Sequence, residues 1–224
     1  MSKPGARIWT IPNILTIARV IAAPCVVLAF VFFTRPLADW IAFWLFVGAA
    51  LTDFLDGWLA RRLNQQSALG TMLDPIADKA MVIIALTVLM TINPVTGGST
   101  EGVIFPYPGM EIAVPAVIII MREILVTGLR EFLGDVKLPV TTLAKWKTTF
   151  QMIAIAVLFL RLPISLFDSP DSAGVFGRAP FSQTTEWLLY AGTILLWFAA
   201  ILTAITGWDY FAKGIRHIRD REGH

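Results

Sequence analysis

Residues 53–79 read DFLDGWLARRLNQQSALGTMLDPIADK. Four aspartates, Asp53, Asp56, Asp74 and Asp78, stand here between two runs apolar enough to enter lipid. Each Asp placed at mid-bilayer costs on the order of 2.5–3.5 kcal/mol on insertion scales, and less toward the interface. Four acids so close in sequence therefore need a reason, and their setting supplies one.

That setting is a membrane. The chain is 56% hydrophobic and 15% charged, with a mean hydropathy of +0.70. A soluble domain carries about 25% charged residues, so this chain has too much apolar surface for one water-exposed core. The formal net charge of +2 gives no basic footprint for nucleic acid. One cysteine, Cys25, cannot form an internal disulfide, and the two histidines, His217 and His224, lie in the basic tail. Those residues make no zinc, haem or iron–sulfur site. Any metal here is expected to be a hard cation held by oxygen.

A helix needs about 20 mostly apolar residues to cross roughly 30 Å of hydrocarbon. Hydropathy predicts six such spans, at about 13–34, 38–62, 72–93, 112–133, 146–167 and 185–212. They are joined by short stretches such as TRPLAD, NPVTGGSTEG and DSPDSAGVFGRAPFSQ. The expected architecture is all-α: one integral membrane domain of six transmembrane helices spanning 1–224. The N-terminal stretch is basic but too long for a signal peptide, and Asn13, Thr16 and Arg19 interrupt its apolar part, so a retained first span is expected. If the N-terminus is cytoplasmic, only Arg35, Arg161 and Arg178 of the 18 Lys/Arg residues fall on the far side. The positive-inside rule then predicts that both termini are cytoplasmic.

On that topology Asp53 and Asp56 lie within about two helical turns of the end of the second span. Asp74 and Asp78 lie at similar depth at the start of the third. The i,i+3 and i,i+4 spacings put each pair on one side of its helix, so two helices offer four carboxylates to a shared pocket. Four packed acids cannot all stay ionised without counter-charge. Arg61 and Arg62 are near enough to pair with an acid, the ordinary fate of a lone Asp at a helix end. A divalent cation is the stronger expectation for four. Mg²⁺ suits such a place because it keeps waters and takes substrate phosphates as further ligands. Gly57 and Ala60 flatten the helix beside the acids, and Gly70 flattens or caps the neck of the third span.

The run Asp53-x2-Asp56-Gly57-x2-Ala60-Arg61-x8-Gly70-x3-Asp74-x3-Asp78 resembles, without departure, the signature of the CDP-alcohol phosphotransferases, a family with a six-helix membrane core. The flanks IPNILTIARVIAAP (11–24), MREILVTGLRE (121–131) and AKWKTTFQ (144–151) are similar to its bacterial phosphatidylglycerophosphate synthases. The resemblance implies transfer of a phosphatidyl group from CDP-diacylglycerol to sn-glycerol 3-phosphate, with release of CMP. It further implies that Asp53, Asp56, Asp74 and Asp78 hold Mg²⁺ or Mn²⁺, two ions per active site, with Asp78 also the general base. Asn13, Thr16, Gly57, Ala60, Arg61 and Gly70 are then expected at the CDP-lipid site. A homodimer in the bacterial inner membrane, its active site facing the cytoplasm, is the family expectation.

A phosphomonoester acceptor needs cations. Arg122 and Arg130 stand within about 80° on a helical wheel, and Lys147 begins the next span; together they are the candidate glycerol-phosphate site. The plainer account of such residues is positive-inside flanking with snorkelling toward headgroups. Two alternatives stay open: a sister enzyme acting on serine, inositol phosphate or a second phospholipid such as phosphatidylglycerol, and an ion-coupled transporter, which also uses intramembrane carboxylates.

Overall fold

The computed structural model describes residues 10–63, 68–92, 109–133, 142–167 and 183–222. They form six helices: α1 Ile11–Phe32, α2 Leu37–Leu63, α3 Ala68–Ile92, α4 Met110–Leu133, α5 Thr142–Phe167 and α6 Gln183–Glu222. Each contains a window long and apolar enough to cross a membrane. The chain is thus a multi-pass membrane protein. Helix is the form that lets a single segment satisfy all its backbone groups where water is absent.

The element count agrees with hydropathy, whereas the ends do not. The third helix begins at Ala68 and the sixth runs on to Glu222. Hydropathy marks where lipid contact stops, and backbone hydrogen bonding continues past that point. At the end of α6, an i,i+4 pair from Lys213 Nζ to Asp209 Oδ2 (2.6 Å) supports the polar extension. At the other extreme, Thr10 caps α1, its hydroxyl accepting from the Asn13 N–H at 3.5 Å, with a proline in the first turn. Gly70 lies inside α3 and is buried, so it does not end a turn.

The helices do not pack equally. α1 lies extensively against both α2 and α3, which scarcely touch one another, while α5 and α4 pack against α6. The first helix is therefore a wedge between the two that carry the acids. At mid-height the bundle is filled by Phe46, Leu86, Leu89, Ile119, Ile155, Leu158, Phe159 and Leu196, all at most 1% exposed. Phe46 and Phe159 meet at 5.8 Å between ring centroids. α5 and α6 approach closely at Gly192, where an added Cβ would stand 2.7 Å from the Leu158 side chain. Many large apolar residues point outward, among them Phe54, Trp44, Ile194 and Trp208, as expected when lipid is the solvent.

The end of the bundle remote from the acids is sealed by charge. Asp39, in the first turn of α2, is fully buried and accepts from Arg35 Nε (3.0 and 3.1 Å) and Nη2 (3.0 Å). Arg161 of α5 is 5% exposed and within electrostatic reach of Arg35 and Glu111. Trp197 Nε1 of α6 donates to the Glu111 carbonyl at 3.0 Å. Arg35 and Arg161 thus belong to a polar seal built from α2, α4, α5 and α6. TRPLAD, which reads as a connection, already contains the first turn of α2.

Asp39→Ala removes a buried acceptor of charge-assisted hydrogen bonds, each worth about 1.5–3 kcal/mol net. Arg35 stays half-exposed and rehydrates, so the expected loss is about 1–2 kcal/mol. It is read as a lower thermal unfolding midpoint in detergent; a midpoint equal to wild type would remove the seal from the stability argument.

Candidate active site

At the other end, one side chain gathers the acids. Arg19, on α1, is 3% exposed. Its Nη1 donates to Asp53 Oδ1 of α2 and to Asp78 Oδ1 of α3, the latter at 2.6 Å. Its Nη2 reaches Asp74 Oδ1 at 3.4 Å. Thr16, one turn earlier on α1 and 1% exposed, donates to the same Asp74 oxygen at 2.7 Å. The three carboxylates are 41–47% exposed, whereas the guanidinium is covered. The charge sits behind the acids and holds their outer faces open.

The pocket is accordingly built by three helices, with α1 supplying both donors. A small cavity there is lined by Arg19, Asp53 and Asp78 with the apolar Ala49, Ala50, Ala77, Met81 and Met152. The structure brings together Asp53, Asp74, Asp78 and Thr16, and buries Asn13 one turn before Thr16. Asp56, Gly57, Ala60 and Arg61 lie in α2 and Arg130 in α4, with side chains outside the described residues.

Arg19 is the residue that sequence reading missed. In the sequence it marks only an interruption of the first span. An arginine inside an apolar helix is itself a signal, because it must find a counter-charge among other helices.

The donor chemistry suits a hard divalent cation, since every acid presents carboxylate oxygen. Among the described residues, however, no group of three acids stands ready-made around a common ion position. Asp53, Asp74 and Asp78 are instead arranged around the guanidinium.

A second polar group lies beside the first. Glu123 Oε1 on α4 accepts from Arg122 Nη1 at 2.9 Å and from Lys147 Nζ of α5 at 2.7 Å. Lys147 is 5% exposed, so it is no lipid-facing flank. Lys79, the residue after Asp78, donates from Nζ to Thr127 Oγ1 at 2.6 Å, and Thr127 donates to the Glu123 carbonyl at 2.5 Å. The two groups are thus joined through Asp78–Lys79 of α3. Arg122 fits because α6 offers Gly207 against it: a Cβ there would stand 2.8 Å from Arg122 Cγ. Lys79, Glu123 and Gly207 were not singled out by the sequence. Only the i,i+1 adjacency of Lys79 to Asp78, and of Glu123 to Arg122, hinted at the first two.

The sequence pattern of the CDP-alcohol phosphatidyltransferases matches residues 9–205. The chain belongs to this family. It is 44% identical to a CDP-diacylglycerol–glycerol-3-phosphate 3-phosphatidyltransferase of Cereibacter sphaeroides, over 96% of this chain and 99% of that protein. Proteins of the same name from Rickettsia bellii and Escherichia coli K12 are 40% and 33% identical, over 90% and 95% of this chain and 93% and 99% of theirs. The chain is thus a CDP-alcohol phosphatidyltransferase by family, with its polar groups inside the matched region.

Glu123→Ala leaves Arg122 and Lys147 side by side without their carboxylate. Breaking a buried pair costs about 3–5 kcal/mol when the remaining charge has no partner. The expected result is a lower unfolding midpoint, with Glu123→Asp retaining part of it; equal midpoints for Glu123→Ala and wild type would show that Glu123 does not hold the cations.

Proposed function

We propose that the protein transfers the phosphatidyl group of CDP-diacylglycerol to sn-glycerol 3-phosphate, giving phosphatidylglycerophosphate and CMP. The names of its relatives support that reading. The structural observation that carries it is the contact between an acid group and a cation group through Asp78 and Lys79. Among the described residues, Arg122 and Lys147 both bond one carboxylate, Glu123, while Lys79 bonds Thr127, whose hydroxyl donates to the Glu123 backbone carbonyl. A group with more cations than carboxylates suits a phosphomonoester dianion. Arginine's fork suits phosphate oxygens, and lysine adds a point charge. A neutral acceptor such as serine has no anionic group for those cations to hold.

In this reading Asp53, Asp56, Asp74 and Asp78 hold the metal, Mg²⁺ or Mn²⁺, two ions per site. When bound, the metal supplies positive charge to the diphosphate and to the phosphoryl group in transit. Asp78 accepts the proton of the acceptor's primary hydroxyl, whose oxygen bonds to the β-phosphorus as the bond to the CMP oxygen breaks. Arg122 and Lys147, with Arg130, hold the acceptor's phosphate, and Glu123 holds those two cations in register. Asn13, Thr16, Gly57, Ala60, Arg61 and Gly70 line the CDP-lipid side, Thr16 acting through Asp74. The acids sit at the cytoplasmic face of a bacterial inner membrane, where a soluble phosphate ester and a lipid-anchored nucleotide meet. Both termini are on that face, 1–224 is one domain, and the working unit is a homodimer.

CMP release from CDP-diacylglycerol and Mg²⁺ is measured against sn-glycerol 3-phosphate, serine, inositol phosphate and phosphatidylglycerol. Release with glycerol phosphate alone is expected, and release only with another acceptor rejects the proposal. Asp78→Asn should lower kcat on the order of 10²–10⁴-fold, the range for a lost general base; unchanged turnover removes Asp78 from that role.

Gly207→Val drives a side chain into Arg122. It should raise KM for glycerol phosphate roughly tenfold, about 1.4 kcal/mol, while leaving KM for CDP-diacylglycerol unchanged. An equal rise in both would place Arg122 outside the acceptor side.

A further inference from the structure

We propose that Arg19 is the resident counter-cation of the acid group, holding its carboxylates in register and exchanging for the divalent metal when that metal binds. The inference rests on the metal reading of the aspartates given above, and not on which alcohol is the acceptor.

The acids need positive charge in the absence of metal, because like charges at this spacing repel and a membrane protein has little water to screen them. Arg19 meets that need from a third helix. Its Nη1 touches Asp53 Oδ1 and Asp78 Oδ1 together, and its Nη2 reaches Asp74 Oδ1. Arginine stays protonated at any accessible pH, so its partial offset of the three carboxylates is permanent. Thr16 Oγ1 fixes Asp74 from the same helix at 2.7 Å. α1 thereby ties α2 to α3, which make little contact of their own.

The same bonds engage one oxygen, Oδ1, of each of the three carboxylates and set a positive charge where a metal's charge would fall. Divalent-ion binding needs lone pairs on Asp53, Asp74 and Asp78, and Oδ1 of each is engaged by the guanidinium. A divalent ion that takes up Oδ1 of Asp53 and Asp78 displaces Nη1 from them, and like charge opposes the two cations sharing these acids. Arg19 is a positioning residue in this sense. It keeps the acids assembled and sets how tightly they take up metal.

The sign of one measurement separates this role from a purely structural one. If Arg19 only braces the helices, Arg19→Gln lets the acids splay, and metal binds more weakly. If Arg19 competes with metal, Arg19→Gln binds metal more tightly. Full-length protein in detergent is titrated with Mn²⁺ alone, without either substrate, and bound ion is followed by electron paramagnetic resonance. The expected result is a Kd for Mn²⁺ about tenfold lower in Arg19→Gln than in wild type. With EDTA, the variant should unfold at a lower temperature than wild type, and saturating Mg²⁺ should raise its midpoint more.

Should Arg19→Gln fail to fold, Arg19→Lys carries the test. Its single ammonium cannot match the fork across three carboxylates, so a tighter Kd is again expected. An unchanged or higher Kd in the folded variant overturns the proposal. Absence of Mn²⁺ binding in wild type and variant alike overturns it together with the metal reading. Loss of activity toward glycerol phosphate with normal Mn²⁺ binding touches only the acceptor.

Discussion

A charge buried in a bundle that faces hydrocarbon must be neutralised where it stands, because no solvent reaches it and insertion already costs several kcal/mol. The contact with Asp53, Asp74 and Asp78 meets that constraint for the buried Arg19 and offsets part of the acids' charge. It also explains the packing. α2 and α3 touch little, yet their acids lie side by side because α1 stands between them and reaches both. Remove the guanidinium in thought, and the helices that carry the chemistry have no common partner.

Much of this was legible in the sequence, and its limits have physical causes. Six spans follow from hydropathy because lipid contact demands about 20 apolar residues each. Their ends are less legible: α3 begins at Ala68 and α6 reaches Glu222, since polar turns remain helical beyond the apolar stretch. The aspartates could be read because i,i+3 and i,i+4 spacing is local. The Arg19 contacts span 34, 55 and 59 residues, and nothing local announces them. Arg61 and Arg62, the nearest cations in sequence, were the natural guess for partners. Gly207 was less legible still. Its meaning lies in the Arg122 side chain of another helix, and no spacing rule connects them.

The cation group shows how a flanking residue differs from a site residue. Lys147 could be read from sequence either as a phosphate-site lysine or as a headgroup-seeking one, and it is buried against Glu123. A snorkelling lysine keeps its ammonium in water; one that accepts burial needs an anion of its own. Glu123 serves both Lys147 and Arg122, and Lys79 stands on the adjoining helix, bonded to Thr127. An arrangement left positive on purpose is poised for an anion that comes and goes. A purely structural cluster would have closed its account, as Arg35 and Asp39 do at the far end.

That far end bears on the choice between transfer and transport. A transporter needs polar groups that continue across the bilayer midplane. Here the Arg35–Asp39 pair with Arg161 and the Arg19 group lie at opposite ends, and between them stands a tight apolar layer that includes Phe46, Leu86, Leu89, Ile155, Leu158 and Phe159. At the remote end the carboxylate is covered and only Arg35 reaches out, whereas at the other the three acids are nearly half-exposed and the guanidinium is covered. Carboxylates are open at one end only, a polarity that suits a reaction between a lipid lying in the membrane and a solute arriving from one side.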